Sequence, residues 1–346
     1  MGESIPLRSL SSAKANLERL ESGSPIFSRA LLEYVDRVWT SGEGGKLVIN
    51  DINGKPHEYK VEQHWKPNHH EREGYGPYTP SISYKSYQAL ADDTPPWYNG
   101  DGNTVDPEAK IDWPPKVPIS VASCSFFQGT SSFEEVHAAH QAASLQWLES
   151  DACTVLKRKL AAALCDTAPV NRIVCFALGN LQRHNDNASH AQHACIQTLR
   201  EILPKGDAGE AVPVWVQDPG YTDIDKRILT ALDINVVEDP QGFLAITPST
   251  LVMSLSPDIP VRQIVADVQW PAALICDTIH ADETDFEKRE FIDFGGSKVP
   301  VSPYTTDPCS KRVQAMIEGC TSFAFPGSEH FGGTTVYLRR RESQTE

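Results

Sequence analysis

No stretch of this sequence holds the roughly 18 uninterrupted apolar residues of a membrane-crossing helix. The opening residues, Met1 to Glu21, mix Glu, Arg and Lys with Ser and Leu and lack the apolar centre of a secretory signal. The expectation is a protein of the cytosol or nucleus that does not enter a membrane. Positive charge is in short supply: 31 Lys and Arg face 46 Asp and Glu, a formal net charge of −15. Such a surface repels phosphate backbones, which argues against general nucleic-acid binding. The one dense basic run, Arg339-Arg340-Arg341, reads as a solvated tail. None of the eight cysteines forms a Cys-x-x-Cys pair, and Cys175 and Cys276 stand in apolar settings. Buried free thiols explain them better than disulfides or zinc. There is no internal repeat, no Gly-x-Ser-x-Gly elbow and no complete Gly-x-Gly-x-x-Gly fingerprint.

What is present fits a globular protein: 346 residues, 40% hydrophobic and 22% charged. Residues 1–24 are polar and Ser-rich and are expected to form a poorly ordered tail. Pro25 opens a helical pattern through Ile26, Leu31, Leu32, Val35 and Val38, closed by Gly42 to Gly45. Leu47-Val48-Ile49 and Tyr59-Lys60-Val61 flank Asn53-Gly54, which suits a hairpin with a type I′ turn. Residues 64–116 have frequent Pro, Gly, Tyr and Trp and no sustained period, as in a covering segment. The boundary is placed near residue 115, with 25–115 as a helix, hairpin and irregular cover packed on a larger domain over 116–340.

Within that domain strands and helices alternate. A short strand over Pro118–Val121 precedes a helical region from Ser131 or Ser132 to about Leu164, interrupted near Asp151. Arg172–Leu178, Val212–Val216, Ile234–Val237, Thr250–Met253 and Ala273–Cys276 read as strands, with helices at 188–203, 223–232 and 261–268 between them. Phe291–Phe294 leads into a turn at Gly295-Gly296, Lys311–Ile317 is helical, and Thr321–Phe325 and Thr334–Leu338 fit an antiparallel edge pair. The alternation predicts an α/β, Rossmann-like, mainly parallel sheet with helices on both faces and an N-terminal helix and hairpin extension.

In open sheets of this kind ligands gather at the carboxyl ends of the strands. Two ends stand out. One is Ala177-Leu178-Gly179-Asn180, leading through Arg183 and Asn185 to the helix with His190, Gln192 and His193; the helix start could offer N–H groups to an anion. The other is Gln217 to Asp223, where Asp218 stands as an acid does that engages ribose hydroxyls, and Asp223 suits a helix cap. Candidate binding residues are therefore Gly179, Asn180, Gln192, Asp218, Thr222 and Asp223. Candidate acid, base or anchoring groups are His190, His193, Asp218 and Arg183. His190, His193 and Cys195 lack further ligands at a recognisable spacing, so no metal site is assigned. Glu329-His330 beside Gly332-Gly333 reads as a surface turn.

Several of these residues fall in an order that resembles the Sensitivity-to-Red-Light-Reduced (SRR-like) family. They are Leu178-Gly179-Asn180, Ser189-x-x-Gln192, Trp215-Val216-Gln217-Asp218-Pro219, Asp225, Leu229, Asn235-Val236-Val237, Thr247-Pro248-x-Thr250 before Leu251, and Trp270. The likeness runs from Arg172 to about Thr278, and the long termini resemble fungal members. Family members follow the Thr-Leu strand with a Met-Pro-His-Cys-like segment. Here Ser254-Leu255-Ser256-Pro257 stands there, without His or Cys. The resemblance implies a link to light and circadian signalling and to regulation of heme biosynthesis, and supplies no reaction. The expected function is a regulatory protein that binds a small ligand between Gly179-Asn180 and Asp218, with no cofactor assigned. The alternatives are a metabolite-tailoring enzyme of specialised metabolism using that pocket, a transferase included, or a protein–protein adaptor docking through 64–116.

Overall fold

The computed structural model describes residues 7–42, 44–61, 73–91, 115–182, 187–205, 209–280, 290–294, 297–302, 305–327 and 329–341. The N-terminal portion begins with helix α1 (Leu7–Ser22) and helix α2 (Arg29–Thr40), the latter capped by Ser28, whose side chain accepts from Leu31 N. Strands β1 (Lys46–Asn50) and β2 (Pro56–Lys60) form a hairpin. Strand β3 (Thr79–Tyr84), helix α3 (Tyr87–Ala91) and strand β4 (Ile119–Cys124) follow, with β3 antiparallel to β4 in a sheet of their own.

Helix α4 (Phe133–Glu149) starts from a capping box in which Ser132 and Glu135 satisfy each other's backbone N–H, and Ser150 both ends it and caps α5 (Asp151–Ala163). The remaining elements are β5 (Arg172–Phe176), α6 (Asn187–Ile202), β6 (Val214–Gln217), α7 (Asp223–Ala231), β7 (Asn235–Val236), α8 (Gln241–Leu244), β8 (Thr250–Ser254), α9 (Val261–Val268) and β9 (Ala273–Asp277). A hairpin of β10 (Glu290–Phe294) and β11 (Ser297–Ser302), helix α10 (Lys311–Glu318), and strands β12 (Cys320–Ala324) and β13 (Thr334–Arg339) complete the chain.

Seven strands form the central sheet in the order β12-β13-β9-β8-β5-β6-β7. From β9 to β7 all neighbours are parallel, while β13 runs antiparallel to β9 and β12 antiparallel to β13. Both faces are covered, which is why the central strands read as unbroken apolar runs. In β5, Ile173 and Cys175 enter one core with Leu156, Leu199 and Leu229, whereas Val174 and Phe176 enter the other with Phe27, Phe243 and Ile264. Each such fully buried side chain contributes roughly 1.5–3 kcal/mol of transfer free energy. The chain builds β6 and β7 outward on one side of β5 and returns to build β8 and β9 on the other. The topological switch point therefore lies between the carboxyl ends of β5 and β8.

Several sequence expectations are corrected. Residues 7–22 are helix rather than tail, because Ala13, Leu17 and Leu20 line up at helical spacing and are buried, Leu17 and Leu20 in one cluster with Tyr87, Leu90 and Ala91. The hairpin turn is not a two-residue type I′. A five-residue loop is organised by the Asp51 carboxylate, which accepts from Asn53 N and Lys55 N, and only Gly54 has positive φ. Arg339 is no tail residue: it ends β13 and donates to the Pro271 and Pro248 carbonyls, and Arg341 N donates to Asp166. All eight cysteines are free thiols, five of them buried. Most of segment 64–116 and the Gly295-Gly296 turn lie outside the described residues.

Candidate ligand site at the strand ends

The exits of β5 and β6 form one cradle. After Phe176 the backbone turns through Ala177 and Gly179, both left-handed, with φ of 55° and 72°. Such a turn is open to Gly179 without cost and strains Ala177. The turn brings Gly179 N to 2.8 Å from Asp218 Oδ2, while Asp218 Oδ1 accepts from Gly220 N at 2.8 Å. One carboxylate thus ties the two loops together.

Beside this tie, Asn180 donates from Nδ2 to the carbonyls of Phe127 (2.6 Å) and Gly220 (3.2 Å). Gln182 Nε2 donates to Thr222 Oγ1 at 3.0 Å. Thr222, not Asp223, is the N-cap of α7, in a capping box with Asp225, so the capping role assigned to Asp223 is corrected. Asp225 is fully buried and also accepts from Leu181 N at 2.9 Å. Burial raises its carboxyl above the usual value, against the pull of these hydrogen bonds. Two buried acceptors of the cradle, Asn180 Oδ1 and Gln182 Oε1, have no donor among the described residues.

A cover lies over the cradle. Phe127 packs edge-on against Tyr75, and Gln128 N donates to Gly74 O. Gly129 lies so close that a Cβ there would stand 2.4 Å from Gln182 Oε1. On the β7 side, Tyr84 of β3 donates to Asp239 Oδ1 at 2.6 Å, and Gln217 Nε2 donates to the same oxygen at 3.0 Å. Burial pushes the Asp239 carboxyl up to about 7.

Beneath the cradle the first turns of α6 carry a buried hydrogen-bonded string. Ser189 Oγ donates to Gly179 O at 2.8 Å. His193 Nδ1 donates to Ser189 O (2.7 Å), which leaves Nε2 to accept from the Tyr221 hydroxyl (2.8 Å). Burial, then the neighbouring His190, pushes His193 down to about 4, so it stays neutral; its hydrogen bond to Ser189 pulls the other way. Burial raises the Tyr221 hydroxyl well above its usual value, and the nearby Asp218 charge adds to that.

Of the residues picked from the sequence, the structure brings Gly179, Asn180, Asp218 and Thr222 together. Gln192 is directed elsewhere, donating to His330 O at 2.9 Å. Asp223 is exposed, and Arg183 lies outside the described residues. His190 is buried with its ring 5.7 Å from that of His140, and His193 supports Tyr221. Among the described residues no three His, Cys, Asp or Glu side chains are placed to hold a metal. Sequence reasoning missed Gln182, Tyr221 and Asp225 in the cradle and Tyr84 and Asp239 beside it. Only Asp225 had a local signal, the Thr222-x-x-Asp225 spacing of a capping box.

Ser254-Leu255-Ser256-Pro257, where the family likeness broke, leaves β8 at the switch point. Ser256 is left-handed (φ 45°), and its N–H and hydroxyl both donate to Asp277 Oδ2. Ser254 Oγ is buried without a partner among the described residues. No helix among the described residues is long and apolar enough to cross a membrane. No curated protein and no solved structure matches the chain. The model of the SRR1 domain matches residues 152–337, more than half of the chain, and takes in β5 to β9 and the whole cradle. The chain belongs to the SRR1 domain family.

Proposed function

We propose that this chain is a regulatory protein that binds a small polar molecule in the cradle between the β5 and β6 exits. The reading is carried by Asn180 Oδ1 and Gln182 Oε1, two buried acceptors without a donor among the described residues. Leaving such an atom unpaired costs about 1–3 kcal/mol, which a ligand N–H or O–H would recover. Acceptors dominate the cradle, since Asp218 has already taken the Gly179 and Gly220 N–H groups. The ligand is therefore a donor-rich molecule. The regulatory part rests on the family likeness. Thermal melting of the full chain with the small-molecule fraction of a cell extract tests the reading. The fraction should raise the melting temperature of the wild type and not that of Gln182→Leu; an equal rise in both, or none, would count against it.

A second reading, a metabolite-tailoring enzyme, is favoured by Asp239. A carboxyl that titrates near 7 beside the Tyr84 hydroxyl suits general acid–base work at neutral pH. It requires a turnover abolished by Asp239→Asn in a folded protein; an intact turnover in that variant would remove Asp239 from the chemistry.

A further inference from the structure

A pocket of about 450 Å³ opens between α4 and α7, within the roughly 300–1,000 Å³ range of small-molecule sites. His137, His140, Gln141, Ser144 and Leu145 line it from α4, and Ile228, Ala231 and the adjoining Leu232 from the other side. We propose that it is a second small-molecule site, separate from the cradle, for a mainly apolar molecule whose hydroxyl pairs with His140.

Three observations converge on that chemistry. The walls are apolar, and Leu145 is 60% exposed, so an occupant would remove a large apolar side chain from water. His140 is the opposite case: it is 4% exposed, its ring lies against His190, and its Nδ1 has no hydrogen-bond partner among the described residues. The hydroxyl proton of Ser144 is given to the His140 carbonyl, so Ser144 has none to donate to that nitrogen. The third observation is the charge state. Burial, then His193, His190 and His137, pushes His140 down to about 3, so at neutral pH the ring has one donor and one acceptor nitrogen. A hydroxyl can answer whichever nitrogen faces it, whereas a carbonyl only accepts. A carboxylate would enter a pocket with no Lys or Arg in its lining.

The test is calorimetric titration of the full chain with 2-naphthol and with naphthalene, which lacks the hydroxyl. The wild type should take one 2-naphthol per chain and prefer it over naphthalene by roughly fivefold to tenfold, the worth of one hydrogen bond. His140→Phe should erase that preference while leaving naphthalene binding unchanged. Ala231→Trp, at an exposed position of the rim, should weaken both probes at least tenfold. Should His140→Phe not fold, the wild-type preference and Ala231→Trp decide the matter. The proposal fails if the folded wild type shows no saturable binding, if Ala231→Trp binds as well as wild type, or if His140→Phe weakens both probes alike. A chain that self-associates through this face and excludes 2-naphthol overturns it too.

Discussion

Asp218 Oδ2 accepts a hydrogen bond from the backbone N–H of Gly179, 39 residues earlier in the chain, at 2.8 Å. Its other oxygen holds Gly220 N, so one side chain ties the exits of β5 and β6 together. Charge-assisted hydrogen bonds of this kind contribute more than neutral ones. Asp218→Ala should lower unfolding stability by about 2–3 kcal/mol in urea denaturation. A change below about 0.5 kcal/mol would show that the two loops hold their shape without it.

The left-handed backbone at Ala177 sets up a second test. A non-glycine residue there costs roughly 1–2 kcal/mol, of which the greater freedom of glycine in the unfolded chain takes back about half. Ala177→Gly should therefore stabilise the protein slightly, by about 0.5–1 kcal/mol, as a higher midpoint of denaturation. A destabilised variant would mean that the Ala177 methyl packs more strongly than its backbone is strained.

Buried neutral histidines make stability depend on acid. The folded value of His193 is about 4, below the ordinary 6.5, so the unfolded state binds its proton first. The stability contributed by keeping His193 neutral is whole above about pH 6.5 and is lost as pH falls toward 4. Several carboxyls raised by burial, Asp239 among them, act in the opposite sense, so the difference between wild type and variant is what reports on His193. His193→Gln should be less stable than wild type at pH 7.5, and the gap should shrink by up to about 3 kcal/mol by pH 4. A gap independent of pH would show that His193 is not held neutral.

Another buried contact fastens the C-terminal part. Arg262 of α9 and Asp307, 2% and 4% exposed at their side chains, form an ion pair at 3.1 Å, and Arg262 also donates to the Asp307 carbonyl. Removing one partner of such a pair strands a buried charge. Asp307→Ala should cost about 3–5 kcal/mol in thermal or urea unfolding, with the double variant Asp307→Ala/Arg262→Met, which strands neither charge, costing less. Equal losses in the two variants would show that shape rather than charge matters there.

How far the sequence reveals this molecule varies by element. Strand β5 was legible because Arg172–Phe176 is apolar on both faces and Gly179 follows it. The antiparallel edge of β12 and β13 was legible from its place after the last helix. Helix α1 was obscured by its serines, although Ala13, Leu17 and Leu20 keep the helical interval. The cradle was half legible. Gly179, Asn180, Asp218 and Thr222 sit next to strand ends, which the alternating pattern locates. Partners such as Phe127 with Asn180, or Tyr84 with Asp239 across 155 residues, exist only once the β3–β4 sheet is laid over the strand ends. His140 escaped because nothing in α4 distinguishes a histidine buried beside His190 from one facing water.

The central claim is that the cradle holds a small donor-rich molecule. Its most direct measurement is the mass of the full-length protein under native and denaturing conditions after exposure to a cell's small-molecule fraction. The expected result is an added mass in the native wild type that is released on denaturation and absent from folded Gln182→Leu. An added mass kept in full by that variant, or a native wild-type mass equal to that of the bare chain, would contradict it.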